Sequence, residues 1–229
     1  MKMTTSTLMR LAGLSAMAAG LCFIVIGLFH PLNVPSFVIT ATWVNVHIFA
    51  TALGFFGLFG MVGLYARQVE ESGWLGLAGF ILFTVWMTLV CGFSFVEAFI
   101  LPKLASESPA FVSSWVGMFS GGPSPIDLGV LPTLWNISGP LYILGPLLFG
   151  IATFRARVLP RWAGGLLALN ILFVPVGALV PPELQPKIMI PIGLALAWLG
   201  YALFSERREQ ASEPAPAAGS PQLRRTAAE

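Results

Sequence analysis

Three ionisable side chains fall at nearly the same depth in three consecutive apolar segments. The chain's two histidines are His30, at the end of the first segment, and His47, just inside the start of the second. Glu97 lies just inside the end of the third segment and is the only formally charged side chain in any of the long apolar stretches. Ionisable groups inside a bilayer are costly and usually face the protein interior. The sequence therefore predicts that the three groups meet near one membrane face.

Polar side chains one helical turn from these groups would line the same helix faces. Ser94 precedes Glu97 by one turn, and Thr51 follows His47 by one turn. Two asparagines near the same depth are further candidates. The predicted polar or ligand-binding cluster comprises His30, His47, Glu97, Ser94, Thr51, Asn45 and Asn136.

Several kinds of chemistry fit this cluster. Two imidazoles and a carboxylate are ligands of Zn²⁺ and other divalent metals, so His30, His47 and Glu97 form a candidate metal site. A proton relay, or recognition of a polar group in a lipid pocket, would use the same side chains. The structural alternative is a buried ion pair or hydrogen bond that ties the helices together. Haem fits less well, because a haem held between two helices usually takes one deep histidine from each, and only His47 lies inside a span.

Composition places the chain in a membrane. Hydrophobic residues make up 56% of the sequence and charged residues only 10%, against roughly 25% charged in ordinary globular chains. The formal net charge of +2 is too small to indicate a nucleic-acid partner. The chain also lacks a phosphate-binding glycine loop, a Gly-x-Ser-x-Gly motif, a His-Glu-x-x-His motif and a Cys-x-x-Cys pair.

The long apolar segments predict an all-α integral membrane bundle of about six transmembrane helices. A helix needs about 20 apolar residues to cross a bilayer, and segments of about that length recur along residues 1–204. The predicted spans are Leu11–Phe29, Trp43–Tyr65, Trp74–Phe99, Trp135–Phe154, Trp162–Val180 and Ile188–Phe204.

Basic residues predict that both termini face the cytoplasm. Cytoplasmic loops of membrane proteins carry an excess of lysine and arginine. With the N-terminus inside, only Lys103 and Lys187 lie outside. The basic residues then placed in the cytoplasm are Lys2, Arg10, Arg67, Arg155, Arg157, Arg161, Arg207, Arg208, Arg224 and Arg225.

The segments outside the predicted spans differ in character. The longest outer loop, Ile100–Leu134, contains a glycine- and proline-rich stretch at 120–125 that cannot be helical, preceded by a short helix predicted at Phe111–Phe119. The tail, 205–229, has few apolar residues to bury and is predicted to be disordered.

A weak internal repeat is also visible in the predicted spans. Three outward-going helices begin alike, with Gly13, Gly79 and Gly164 each ending a Leu-Ala-Gly or Trp-Ala-Gly triplet. This similarity indicates either three related helical hairpins or convergent membrane chemistry, since small residues favour close helix packing in lipid.

Short motifs carry a resemblance to known proteins. The segments Trp43-Val44-Asn45-Val46-His47 and Gly63-Leu64-Tyr65-Ala66-Arg67, together with Leu159-Pro160-Arg161-Trp162-Ala163-Gly164, resemble uncharacterised bacterial multi-pass membrane proteins classed as a domain of unknown function. The resemblance covers most of the chain up to about Phe204. It implies a bacterial plasma-membrane protein and transfers no catalytic residue.

These observations favour a protein that is not an enzyme. The leading prediction is a ligand- or lipid-binding component, or a subunit of a membrane complex, whose polar site lies near the outer face. The alternatives are a metal-dependent membrane enzyme that uses His30, His47 and Glu97, and a small-solute transporter. The lipid bilayer is the expected partner, together with other membrane subunits or further copies of the chain.

Overall fold

The computed structural model describes residues 4–212, apart from the side chains of Ala178 and of residues 206–212. In this part of the chain all regular structure is helical. Two short 3₁₀ helices cover Pro35–Phe37 and Gln185–Met189. The α-helices are α1 (Thr5–Phe29), α2 (Ala41–Arg67), α3 (Val69–Phe99), α4 (Leu101–Glu107), α5 (Pro109–Ser120), α6 (Leu131–Ala156), α7 (Arg161–Ala168), α8 (Asn170–Leu179) and α9 (Ile190–Ser212).

Local sequence explains where the long helices begin and end. The Thr40 hydroxyl accepts a hydrogen bond from the backbone N–H of Trp43 at 3.2 Å and so caps the start of α2. The first turns of α3 are kinked at Gly73, whose φ of 54° suits a residue without Cβ. The regular part of α3 therefore begins at the position where the third span was predicted to start.

The helices form a closed ring. Each of the pairs α1–α2, α2–α3, α3–α6, α6–α7 and α7–α9 packs together, and the extensive contact between α9 and α1 closes the circuit. Gly13 of α1 lies against Gly200 of α9, and Gly20 lies against Gly193, so α1 and α9 are antiparallel. The start of α1 and the end of α9 therefore lie at the same end of the bundle, which we call the termini end; the opposite end, which carries α4 and α5, is the loop end.

Close helix crossings fill the half of the bundle near the termini end. A Cβ atom added at Gly60 would overlap Ala16, one at Gly79 would overlap the backbone of Phe149, and one at Gly150 would overlap the backbone of Gly164. Helices can approach this closely in lipid when one of them has a glycine, which has no side chain, at the crossing. This half of the ring is consequently closed.

The predicted span Trp162–Val180 is not a continuous helix. Leu169 separates α7 from α8, and the Asn170 side-chain amide donates a hydrogen bond to the carbonyl of Tyr142 at 3.2 Å. Gly164 packs against Gly150 near the termini end, whereas Gly177 of α8 lies against Ile188. The two short helices together run from the termini end towards the loop end.

Within the described residues, five helices are long and apolar enough to cross a membrane: Thr5–Phe29, Ala41–Arg67, Val69–Phe99, Leu131–Ala156 and the segment Gln185–Ser205. The predicted hairpins α1–α2 and α3–α6 pack as pairs, whereas α9 packs mainly on α1 and only to a smaller extent on α7. Helix α9 continues to Ser212, past the predicted start of the tail at 205, and residues 213–229 lie outside the described residues.

The surface of the ring is apolar, as a membrane requires. Large hydrophobic side chains are exposed all along the helices, with Trp74 at 84% and Leu179 at 85%. At the termini end, the Arg10 guanidinium stacks on Phe204, and that of Arg161 stacks on Phe154. In water such a surface would expose apolar patches far larger than soluble monomers carry. Lipid is the solvent that this surface fits.

The loop end is covered by α5. This helix confirms the short helix predicted before the glycine- and proline-rich stretch, and Gly121, with φ of 70°, ends it. Its buried residues Val112, Trp115 and Val116 pack with Trp43 in a second apolar cluster that is separate from the main core. The long segment between α3 and α6 is therefore folded down on the ends of α2 and α3.

Candidate functional site

His47 is held in one orientation by its own helix. It lies within the first two turns of α2, and its ring is buried. The ring Nδ1 lies 2.8 Å from the carbonyl oxygen of Trp43, one turn earlier. A carbonyl oxygen only accepts hydrogen bonds, so Nδ1 carries a proton and donates it. The other ring nitrogen, Nε2, is therefore turned away from α2.

Glu97 of α3 faces that second nitrogen. Its Oε2 lies 3.3 Å from Nε2 of His47, and both side chains are buried. The indole Nε1 of Trp43 donates to the backbone carbonyl of Glu97 at 3.0 Å, which fixes the end of α3 against α2. Ser94 and Trp115 both lie beside the carboxyl group, and the Trp115 indole N–H reaches no acceptor within hydrogen-bond geometry.

Proton accounting shows what this pair contains. Because Nδ1 of His47 is already a donor, the contact between Nε2 and Oε2 is favourable only if one proton lies between them. That proton belongs either to a neutral carboxylic acid that donates to the imidazole or to an imidazolium that donates to a carboxylate. Without it, two lone pairs would face each other in a buried site. By this accounting the His47–Glu97 pair has the geometry to hold one proton between its two side chains.

His30 lies next to this pair. It ends α1, its Nδ1 lies 2.7 Å from the carbonyl of Pro31, and its ring meets that of His47 edge-on at a centroid distance of 5.2 Å. Burial lowers the pKa of His30 below its ordinary value, and the hydrogen bond to Pro31 partly opposes this effect. His30 is therefore neutral at pH 7, with its Nε2 available as an acceptor.

These side chains line a cavity of about 880 Å³ in the half of the ring near the loop end. Its walls come from α1, α2, α3, α5 and α6 and from the segments 30–34 and 182–189, and Glu97 and Trp86 both face it. Glu97 and Trp86 lie eleven positions apart on α3, about 16 Å at 1.5 Å per residue. Since Trp86 lies near the middle of α3, the cavity extends from the loop end to about mid-depth of the bundle.

Aromatic side chains close the floor of the cavity. The Trp86 ring stacks on Phe23 and on Phe83, each at a centroid distance of 5.8 Å, and lies 5.0 Å from Tyr142. The Tyr142 hydroxyl is buried and has no hydrogen-bond partner, although Tyr142 lines the cavity. An unpartnered buried hydroxyl is costly, so the floor offers a polar contact to a molecule that occupies the cavity.

The structure brings together some of the predicted cluster and separates the rest. His30, His47, Ser94 and Glu97 all line the cavity. Asn136 is exposed but also lines it, from α6. Thr51 does not: its hydroxyl donates to the carbonyl of His47 within the same helix, at 2.8 Å. Asn45 is exposed and does not line the cavity, because two residues along a helix turn the side chain by about 200° from the face of His47.

Sequence reasoning missed four aromatic residues of the site. They are Trp43, Trp86, Trp115 and Tyr142. Trp86 and Tyr142 have no polar neighbour in sequence that would mark them. The one available signal was Trp43 at four positions before His47, a spacing that places both rings on one helix face; their centroids are 4.3 Å apart.

The metal hypothesis gains no support from the geometry. Among the described residues, no group of three His, Cys, Asp or Glu side chains is arranged to hold a metal ion. His30 turns its Nδ1 to Pro31, and His47 turns its Nδ1 to Trp43. The three-ligand set with Glu97, and the less favoured haem, stay predictions from the sequence.

The fold defines a multi-pass helical membrane protein with a cavity in one half. Comparison with protein-family models, with curated proteins and with solved structures finds no match in any of the three. The site's own geometry therefore carries the functional argument.

Proposed function

We propose that the protein is a non-enzymatic ligand-binding component of the bacterial plasma membrane. In this proposal the chain crosses the membrane six times, with α7 and α8 together as the fifth crossing, and both termini lie in the cytoplasm. The cavity then opens towards the outer face. The resemblance to uncharacterised bacterial membrane proteins, and assembly with other membrane subunits or a second copy of the chain, belong to the same proposal.

The cavity is the observation that carries the proposal. Its volume of about 880 Å³ lies within the roughly 300–1,000 Å³ of small-molecule sites. Apolar side chains such as Leu53, Val90 and Trp86 line its deeper part, and the His47–Glu97 pair lies nearer the mouth. An amphipathic molecule would place its apolar part against the floor and its polar group at the pair.

The orientation is testable by labelling. We expect a cysteine at Ser124→Cys, in the exposed loop after α5, to react with a membrane-impermeant maleimide on intact cells. A cysteine at Ser212→Cys should react only after permeabilisation, because the described basic residues Arg10, Arg67 and Arg155 share its end of the bundle. The labels are read by gel shift in a background lacking Cys22 and Cys91. The opposite accessibility would overturn the proposed orientation.

Filling the cavity tests the binding function. Ala50 of α2 is buried and lines the cavity, so Ala50→Trp should occupy the space that a ligand needs. Native mass spectrometry of gently purified protein should show a bound molecule on the wild type and its loss in this variant. Ile48→Trp is the matched control, because Ile48 is on the same helix but 39% exposed outside the cavity. Equal occupancy in wild type and Ala50→Trp would refute the proposed function.

One observation favours a transporter as the second candidate. The cavity ends near mid-depth, and α7–α8 is a broken helix in the same ring; transporters typically combine a midplane site with discontinuous helices. A transporter would move labelled ligand across a proteoliposome membrane in amounts far above the protein present. A binding component would hold it only in proportion to the protein.

A further inference from the structure

The cavity lining carries carboxyl groups but no permanently positive side chain among its described residues. Its titratable lining residues are His30, His47, Glu97, Tyr142 and Glu183, and no lysine or arginine is among its described lining residues. Lys187 is the nearest ammonium along the chain, and it donates to the backbone carbonyl of Glu183 on the exposed surface. An anionic ligand would meet the buried Glu97 carboxyl group in the cavity and the exposed Glu183 at its edge, with no lysine or arginine among the described lining residues to offset them.

The aromatic side chains in the cavity wall also favour a cation over an anion. Trp86, Phe93, Phe119, Trp135 and Tyr142 all contribute to the wall. Aromatic ring faces carry negative potential and attract cations, most strongly where water is excluded. A cavity with aromatic walls and carboxyl groups fits a lipophilic cation better than a neutral or anionic molecule of the same size.

Two hydrogen-bond donors lie beside the Glu97 carboxyl group, where they can bind its ionised form. Ser94 and the Trp115 indole lie beside its carboxyl group, and the indole N–H is buried without a partner. Both groups can donate to a carboxylate, and neither is needed while Glu97 holds the shared proton with His47. Charge-assisted hydrogen bonds of this kind are about twice as strong as neutral ones. These donors would thus offset part of the cost of ionising Glu97 opposite the Nε2 lone pair of His47.

We infer that the cavity binds a lipophilic monovalent cation and that its binding releases the proton shared by His47 and Glu97. This inference rests on the proposed ligand-binding function and names its ligand class. The exchange balances: one cation enters, Glu97 becomes a carboxylate beside it, and one proton leaves to water at the mouth. His30 lies on the way out, because its ring contacts that of His47 and its Nε2 is an acceptor.

Two ions of the same shape and opposite charge test the ligand class. Tetraphenylphosphonium and tetraphenylborate are compared by equilibrium dialysis against protein in nanodiscs, with empty nanodiscs subtracted. We expect the phosphonium to bind at least tenfold more tightly than the borate and to lose its binding in Ala50→Trp. Borate binding that equals or exceeds phosphonium binding, with both lost in Ala50→Trp, overturns the cation inference while the binding function stands. If neither ion binds and Ala50→Trp also leaves the native mass spectrum unchanged, the function itself fails.

The proton release has its own measurement on the wild-type protein. Tetraphenylphosphonium carries no ionisable proton, so a pH-indicator dye in weakly buffered solution reports only protons from the protein. We expect close to one proton per bound cation, and an affinity that rises by about tenfold per pH unit over the range in which the pair is protonated. No proton release and a pH-independent affinity would overturn the exchange.

A variant tests whether the released proton comes from the His47–Glu97 pair. Glu97→Gln should abolish the release and weaken phosphonium binding at pH 8, because an amide cannot ionise. Glu107→Gln is the control, since Glu107 ends α4 at the same end of the bundle but does not line the cavity; it should behave as wild type. Proton release that persists in folded Glu97→Gln would show that another group supplies the proton. If this variant does not fold, the wild-type measurement still decides the exchange.

Discussion

Gly79→Ala should destabilise the bundle by about 3 kcal/mol, the upper part of the range for overpacked interiors. A Cβ at this position of α3 would overlap the backbone N and Cα of Phe149 and the carbonyl carbon of Leu148 on α6. A backbone cannot rotate out of the way as a side chain can, so α3 and α6 would have to separate. The measurement is the fraction folded in mixed micelles as the proportion of SDS is raised.

The same helix supplies the matched control. Gly92→Ala would place its Cβ in open space, with no atom within 4 Å. Alanine is the better helix former by up to about 1 kcal/mol, so this variant should be neutral or slightly more stable. Equal destabilisation by the two substitutions would show that the α3–α6 crossing is not as close as described.

The His47–Glu97 contact should appear as a coupling free energy of about 1–2 kcal/mol. Removing one partner of a buried pair costs about 3–5 kcal/mol in soluble proteins, but measured polar couplings inside membrane bundles are smaller. His47→Ala and Glu97→Ala should each destabilise the protein, and the double variant should lose less than the sum. The same SDS titration yields the cycle.

The Glu97→Gln variant tests whether the contact with His47 is stabilised by the shared proton or by the negative charge of Glu97. The glutamine amide can donate an N–H to Nε2 of His47 and so replace the proton between the two side chains. It should therefore cost less stability than Glu97→Ala. An Asn45→Ala/Glu97→Ala cycle is the control, because Asn45 is exposed and lies on another face of α2, and its two effects should add. Strict additivity for His47 and Glu97 as well would mean that they do not interact.

Much of the architecture could be predicted because lipid imposes simple rules on a sequence. The length and apolarity of four segments predict the helices α1, α2, α3 and α6. The positions of the basic residues predict which helix ends lie on the same side of the membrane. The common depth of His30, His47 and Glu97 was enough to predict their meeting, since charged groups in a membrane turn inward.

Other features depend on packing that no single segment encodes. Neither a glycine nor a proline lies at Leu169, where α7 ends and α8 begins, so the sequence does not mark this break. The nearest proline, Pro175, lies inside α8. The cavity exists because the ring is closed by α9 on α1, a contact between distant parts of the chain. The role of Trp115 depends on how α5 folds over the loop end, which composition does not determine.

Closure of the ring by its first and last helices has a consequence for biogenesis. The face of α1 that carries Gly13, Gly20 and Gly27 receives its neighbours from 186–204, which leave the ribosome about 160 to 190 residues later. At about 5–20 residues per second, translation leaves that face without its final partner for on the order of ten to forty seconds. During this interval the insertion machinery or lipid must shield a groove shaped for a helix not yet made. Ribosomal stalling before α9 would therefore leave an open, protease-sensitive intermediate in the membrane.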